Sequence, residues 1–322
     1  MMSPMDTYYV STLSLVAITV VYLFFLISRP ILRDSGAIRG IRTVLGSLWL
    51  LDGALQLQPF LSFFFTETVS VPSWPPFLSH IDSGALAIWN TDPIVFNTLA
   101  GGIQVMLGLT LLLRSEGGLF RAAAVGSIAW SVVVWVFGET MPIFQGSSIL
   151  SGSPGAALLY GLMSVPLVTR VSPGKFIRYS MVSIFAISLL WQALPVDGFW
   201  SWKGLAENNY MLYTAYQPHA LTSLMAFMTS LEVAEPVVVN SIVVASLAAA
   251  AVLWALRPNT AVYFTIPLMI AFWVLFQDFG GMFTGFGTDP NIALPLALFA
   301  AVSVMGGRAP VFGNRQQASN AA

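Results

Sequence analysis

The sequence contains no cysteine. That single absence excludes disulfides, thiolate metal sites, iron–sulfur ligation and cysteine nucleophiles. Histidine is nearly as scarce, since His80 and His219 are the only two in 322 residues. Neither is placed for bis-histidyl haem ligation inside a bilayer. Both fall in equivalent outer loops near several methionines, and imidazole with thioether is a donor set that suits copper. No His-x-His pair accompanies them, and these two histidines are the metal-ligand candidates of the chain. Charge is the third deficit. Asp, Glu, Lys and Arg make up 8% of the chain, against about a quarter in a soluble domain. No segment is basic enough for nucleic acid. The glycine-rich fragments Gly280-Gly281 and Gly285 to Gly287 lack the lysine and the strand–helix setting of a phosphate loop, and read as turns.

What is present is apolar. Hydrophobic residues reach 57% and the mean hydropathy is +0.79. A bilayer core of about 30 Å asks for roughly 20 apolar residues per helix. Nine runs approach that length, at 9–28, 41–60, 93–113, 120–138, 155–170, 179–195, 236–256, 260–277 and 291–306. The fold class expected is an all-α polytopic membrane bundle of about nine transmembrane helices. The first run carries its arginines, Arg29 and Arg33, after the apolar stretch, so it reads as a retained helix and not a cleaved signal. With an outside N-terminus, twelve of the thirteen basic residues fall on one side and only Lys203 on the other. The positive-inside rule makes that side cytoplasmic, with the C-terminus there and the protein in the cell membrane.

Residues 41–170 and 179–306 read as two copies of one four-helix unit. Arg42, Gln56 and Pro59 match Arg178, Gln192 and Pro195 without a gap. Asp92-Pro93 through Arg114 match Glu235-Pro236 through Arg257, with Asn97 over Asn240. Trp135 and Glu139 match Trp273 and Gln277, and Ser153-Pro154 matches Asp289-Pro290. An even number of helices per copy makes the repeat parallel. The organisation expected is therefore residues 1–40 as an N-terminal helix with a basic loop, 41–170 and 171–307 as the two units, and 308–322 as a polar tail. The four acid- or serine-proline pairs read as N-caps ahead of a proline at the first helical position. Segments 77–90 and 219–231 read as short interfacial helices within long, aromatic outer connections.

Intramembrane polar residues are the candidate site. An ionised group at the bilayer centre costs about 3 kcal/mol or more. Asp52 lies ten residues past Arg42, roughly 15 Å deep at 1.5 Å per residue. Gln56 follows one turn later on the same face. Converging faces would let Asp52, Gln56, Gln104 and Glu139 line an outward-facing cavity in the first unit. The second unit offers Gln192, Gln277 and Asp278, with Ser188 in place of Asp52. Asn97, Asn240 and Gln104 have a second reading, as hydrogen bonds that join helices.

The run Arg42-x-x-Leu45-Gly46-x-Leu48-x-Leu50-x-x-Gly53, then Asn97 to Arg114 ending Leu-Leu-Leu-Arg, then two more helices, resembles the DoxX-like family of four-helix membrane proteins. The phrases around Asp52 and from Ser153 to Tyr160 also resemble uncharacterised bacterial polytopic membrane proteins. The DoxX-like resemblance implies a membrane-anchoring or quinone-interacting subunit of a redox complex, with quinone as cofactor and other membrane or extracytoplasmic subunits as partners. The parallel repeat and the buried acid support a transporter or channel for a small solute or ion instead. A structural or assembly protein without a site is the third reading.

Overall fold

The computed structural model describes residues 3–27, 36–68, 76–195 and 198–305. These residues form thirteen α-helices and no strand. In a lipid environment each segment must satisfy its own backbone, which is why apolar runs of this length become helices. In chain order they are α1 (Pro4–Ile27), α2 (Gly36–Gln56), α3 (Pro59–Thr68), α4 (Pro76–Trp89), α5 (Pro93–Leu113), α6 (Gly117–Val133) and α7 (Ala156–Val168). There follow α8 (Pro173–Ala193), α9 (Trp202–Thr214), α10 (His219–Ala234), α11 (Pro236–Leu256), α12 (Pro258–Leu275) and α13 (Ala293–Met305). A π-turn, Val134–Gly138, extends α6.

Among the described residues six helical segments are long and apolar enough to cross a membrane, so the chain is an integral membrane protein. Three expected spans take other forms. The run at 41–60 is broken: α2 and α3 meet at a 76° bend, at Pro59, which cannot donate a backbone hydrogen bond and ends a helix. Counting that pair as one span makes seven. The runs at 155–170 and 291–306 form the 13-residue α7 and α13, too short for a bilayer core unaided. Interfacial helices expected at 77–90 and 219–231 are α4 and α10. Helices α3 and α9 were not expected, because their aromatics read as loop. The polar tail 308–322 and four of the arginines (29, 33, 308 and 315) lie outside the described residues.

Side chains that packing cannot hide sit on the outside. Leu13, Val21, Ile242, Val252 and Leu256 are exposed on α1 and α11, as lipid-facing residues are. Inside, residues 41–170 and 171–305 are joined through their first and last helices: α13 packs on α2, and α7 on α8. Buried Trp49, Tyr160, Phe185, Trp254 and Phe299 belong to one continuous core.

The same side-chain bonds occur twice along the chain. Arg42 donates to Leu111 O at 2.6 Å and Leu112 O at 2.7 Å, at the end of α5. Arg178 donates to Trp254 O at 3.2 Å and to Ala255 O, at the end of α11. Both satisfy carbonyls that a helix end leaves open, and both place a cation at the negative pole of the helix dipole. Gln56 Nε2 donates to Asn97 Oδ1 at 2.5 Å, and Gln192 Nε2 to Asn240 Oδ1 at 2.7 Å. Trp135 and Trp273 donate to Pro154 O and Pro290 O at 2.7 and 2.8 Å.

Three of the four expected proline caps are corrected. Asp92 does cap α5, accepting from Val95 N at 3.2 Å. However, α7 and α13 begin after Ser153-Pro154 and Asp289-Pro290, at Ala156 and Ala293. Side chains from the preceding helix cap them instead: Glu139 Oε1 accepts from Ala157 N at 2.9 Å, and Gln277 Oε1 from Ala293 N at 3.1 Å. Each is followed by two residues in the left-handed region, Thr140-Met141 and Asp278-Phe279, which turns the chain back beneath the helix it caps. Glu235 makes no side-chain cap.

Helices α9 and α10 form a hairpin held by Asn209 Nδ2 donating to Glu232 Oε2 at 2.9 Å. Burial raises the Glu232 carboxyl from an ordinary 4.5 to about 7. A carboxyl raised by folding binds its proton more tightly when folded. Its stabilisation is therefore complete below pH 4.5 and is lost as pH rises through about 7. Amide exchange in α9 and α10, corrected for intrinsic rate, is expected to quicken between pH 6 and pH 8. Glu232→Gln is expected to flatten that dependence.

Candidate active or binding cavity

A cavity of about 260 Å³ lies within the first half, walled by α2, α5, α6 and α7 and bordered by α3 and α4. Four of the expected residues do converge on it: Asp52, Gln56, Gln104 and Glu139. Trp49, Trp89, Trp130, Phe65, Phe137 and Tyr160 supply its apolar wall. The second half contributes Phe286, Thr288 and Asp289, from the loop that connects α12 to α13. Asp289 reads in the sequence only as a cap, and the cavity shows it as a third acid. Its alignment with Ser153 gave no hint that it reaches the other half.

The local architecture explains how an acid can sit this deep. Gly46 and Gly53 on α2 face Gly108 and Gly101 on α5, two turns apart on each helix. A Cβ on Gly108 would come within 2.7 Å of Gly46 O, and one on Gly53 within 2.9 Å of Gly101 O. Small residues let the two backbones close up, which carries Asp52 inward to 3% exposure. Tyr160 on α7 donates to Asp52 Oδ1 at 3.3 Å, and its ring meets Trp49 edge-on at 4.8 Å. Trp49 Nε1 is spent on Ser127 Oγ at 2.7 Å. Asp52, Glu139 and Asp289 stand close enough to repel one another.

Some polar atoms here have no partner. Gln104 is 4% exposed, and its Oε1 makes no hydrogen bond; neither does Glu139 Oε2. The indole N–H groups of Trp89 and Trp130 are likewise unpartnered. Buried polar groups are almost always satisfied, and leaving one open costs about 1–3 kcal/mol. Asp289 differs: Asn291 N donates to its Oδ1 at 2.6 Å and Thr288 Oγ1 to its Oδ2 at 3.0 Å. Gln56 lines the cavity, but its amide is committed to Asn97.

The other expected residues lie elsewhere. Gln192 is locked between Asn240 and Ser148, whose hydroxyl donates to its Oε1 at 2.5 Å. Gln277 caps α13 and donates to Ile149 O at 2.8 Å. The bonds to Ser148 and Ile149 join the halves, and neither Gln192 nor Gln277 borders the cavity. Asp278 is 1% exposed beside them, with its carboxyl raised to about 6 by burial. Asp52 and Glu139 thus correspond to Ser188 and Gln277 in the second half, where the amides Gln192 and Gln277 are hydrogen-bonded at both ends, and Asp289 is the second half's own counterpart of Ser153.

His80 Nδ1 bonds Pro76 O at 2.7 Å and His219 Nδ1 lies 3.3 Å from Ser223 Oγ. They stand on separate helices, α4 and α10. Among the described residues no group of three His, Asp or Glu is arranged to hold a metal ion. Asp82, on the helix whose Ala85, Leu86 and Trp89 border the cavity, is buried with both oxygens unpartnered, and burial raises its carboxyl.

No family model, no curated protein and no solved structure matches this chain.

Proposed function

We propose that the protein binds a small amphipathic solute in the acid-lined cavity of its first half and carries it part or all of the way across the membrane. The observation that carries this reading is the contrast between the halves. The acids Asp52 and Glu139 of the first half stand where the second has the neutral Ser188 and Gln277, and Gln277 is hydrogen-bonded at both ends whereas Glu139 Oε2 and Gln104 Oε1 are open. An unmet pair of buried acceptors is expensive to keep without a ligand to meet it.

The reading includes the membrane arrangement. The bent pair and the short α7 and α13 complete nine spans, with the N-terminus outside and the C-terminus cytoplasmic in the cell membrane. The basic residues support this, since Arg39, Arg42, Arg114, Arg121, Arg170, Lys175, Arg178 and Arg257 all fall at one set of helix ends. The cavity then opens toward the outer side. The doubled bonds of Arg42 and Arg178, and of Gln56 and Gln192, support descent from a duplicated four-helix unit.

A quinone-interacting role of DoxX-like type is the second reading. The unpartnered indole N–H groups of Trp89 and Trp130 favour it, because quinone carbonyls accept hydrogen bonds. In that case the acids would handle protons and a partner subunit the remaining chemistry.

The absence of cysteine makes a direct test available. A single Ala85→Cys substitution places one thiol at the cavity border. A membrane-impermeant thiosulfonate added to intact cells is expected to label it, and to leave Ser172→Cys, before α8, unlabelled. Protection of Ala85→Cys by bound solute, lost on Asp52→Asn, is the expected second result. Labelling of Ser172→Cys alone would reverse the orientation. Unchanged protection in Asp52→Asn would remove that acid from the site.

A further inference from the structure

Charge narrows the identity of the solute, given the reading of this cavity as a ligand site. Three carboxyl side chains border it, from α2, from the end of the π-turn and from the loop before α13. Among the described residues no lysine, arginine or histidine borders it. The basic residue nearest in sequence to Asp52, Arg42, is bonded to the end of α5. Negative charge buried without a counter-charge is costly, so the cavity's own composition calls for a positive occupant. The two open acceptors, Gln104 Oε1 and Glu139 Oε2, ask for hydrogen-bond donors. Tyr160 cannot serve, since its hydroxyl donates to Asp52, and Thr288 donates to Asp289. Aromatic faces supply the remaining wall, and a cation over an aromatic face is favoured, most strongly over tryptophan.

We propose that the solute is a small organic cation, a protonated amine on an apolar or aromatic body. The ammonium sits among Asp52, Glu139 and Asp289 and donates to Gln104 Oε1 and Glu139 Oε2, while its body lies against Trp49, Trp89 and Trp130. A bare metal ion is a poorer occupant, because the cavity wall is mainly aromatic and the acids are not gathered to metal-ligand distances among the described residues. Asp289 has a particular role. It belongs to the second half, so the cation is held by both halves at once, and movement of one half against the other would open or close its site.

The test uses the full chain in lipid nanodiscs at pH 7, with 2-phenylethylammonium as the probe and 2-phenylethanol and phenylacetate as its uncharged and anionic counterparts. Binding is read by calorimetry and by intrinsic tryptophan fluorescence. The ammonium is expected to bind at least about ten-fold more tightly than the alcohol, since a buried charge-assisted hydrogen bond exceeds a neutral one by that margin. Phenylacetate is expected not to bind. Asp289→Asn and Glu139→Gln should each weaken the ammonium by about ten-fold, and Asp278→Asn, away from the cavity, should not. Thermal unfolding of each variant shows whether it remains folded, and Asp289→Asn leaves the cap of α7 intact. Equal or tighter binding of the alcohol, or of a short-chain quinone in place of the ammonium, overturns the cation assignment and leaves the cavity reading standing. If no probe binds and Ala85→Cys is also unreactive from either side, both fail together.

Discussion

Replacing Gly108 with leucine is expected to leave no folded protein. A Cβ at this position stands 2.7 Å from Gly46 O and 2.8 Å from Leu50 N, both backbone atoms of α2. Backbone cannot rotate aside as a side chain can. Overpacking a tight interior costs about 1–3 kcal/mol where neighbours can move, and here the two helices must separate. That separation also withdraws Asp52 and Trp49 from Tyr160, so the cavity is lost with the fold. Gly108→Ala should show the same effect in weaker form. Gly84 on α4 is the control, because a Cβ there meets nothing within 4 Å; Gly84→Ala is expected to gain roughly 0.5–1 kcal/mol by restricting the unfolded chain. Thermal unfolding in detergent, with fluorescence-detected size exclusion, separates the three.

Gly155→Ala is the second large effect, and it acts on the site more than on the bundle. Gly155 has φ +113, and a Cβ would lie 2.2 Å from Glu139 Oε2 and 2.7 Å from Trp135 Cδ1. The backbone conformation alone costs about 1–3 kcal/mol for a residue with a side chain. In addition Glu139 must leave Ala157 N, so α7 loses its cap and the cavity loses an acid. The expected outcome is a lowered unfolding temperature together with loss of solute protection at Ala85→Cys. A lowered temperature with full protection would show that Glu139 had kept its place. The corresponding residue of the second half, Asn291, has φ +60, a region asparagine tolerates. Asn291→Gly is therefore expected to change stability by only a few tenths of a kcal/mol.

The membrane character of this chain was legible because hydropathy and charge placement are properties of sequence. The burial of Asp52 was legible too, because it stands within an apolar run ten residues past Arg42. The matched positions Gln56 and Gln192, Asn97 and Asn240, and Trp135 and Trp273 pointed to where bonds would recur. What each bond does was not legible. Arg42 and Arg178 close helix ends, and Glu139 and Gln277 cap the next helix of their own half; in each case the partner is a backbone group, which any sequence supplies. Gln104 could be read equally as a helix-joining residue, and only the absence of a partner for its Oε1 gives it to the cavity.

Sequence by itself determined that this protein lives in a membrane, that it is helical and that Asp52 sits where an ionised group is hard to keep. Each of those depends on residue type and on spacing along one helix. Tertiary structure decided which acids meet. Asp289 lies 237 positions after Asp52 and joins it because the loop before α13 crosses to the other half, while the two glycine pairs let α2 and α5 close on the space between them. Non-local contact of that kind depends on the path of the backbone between helices, and hydrophobic periodicity records only which way each helix faces.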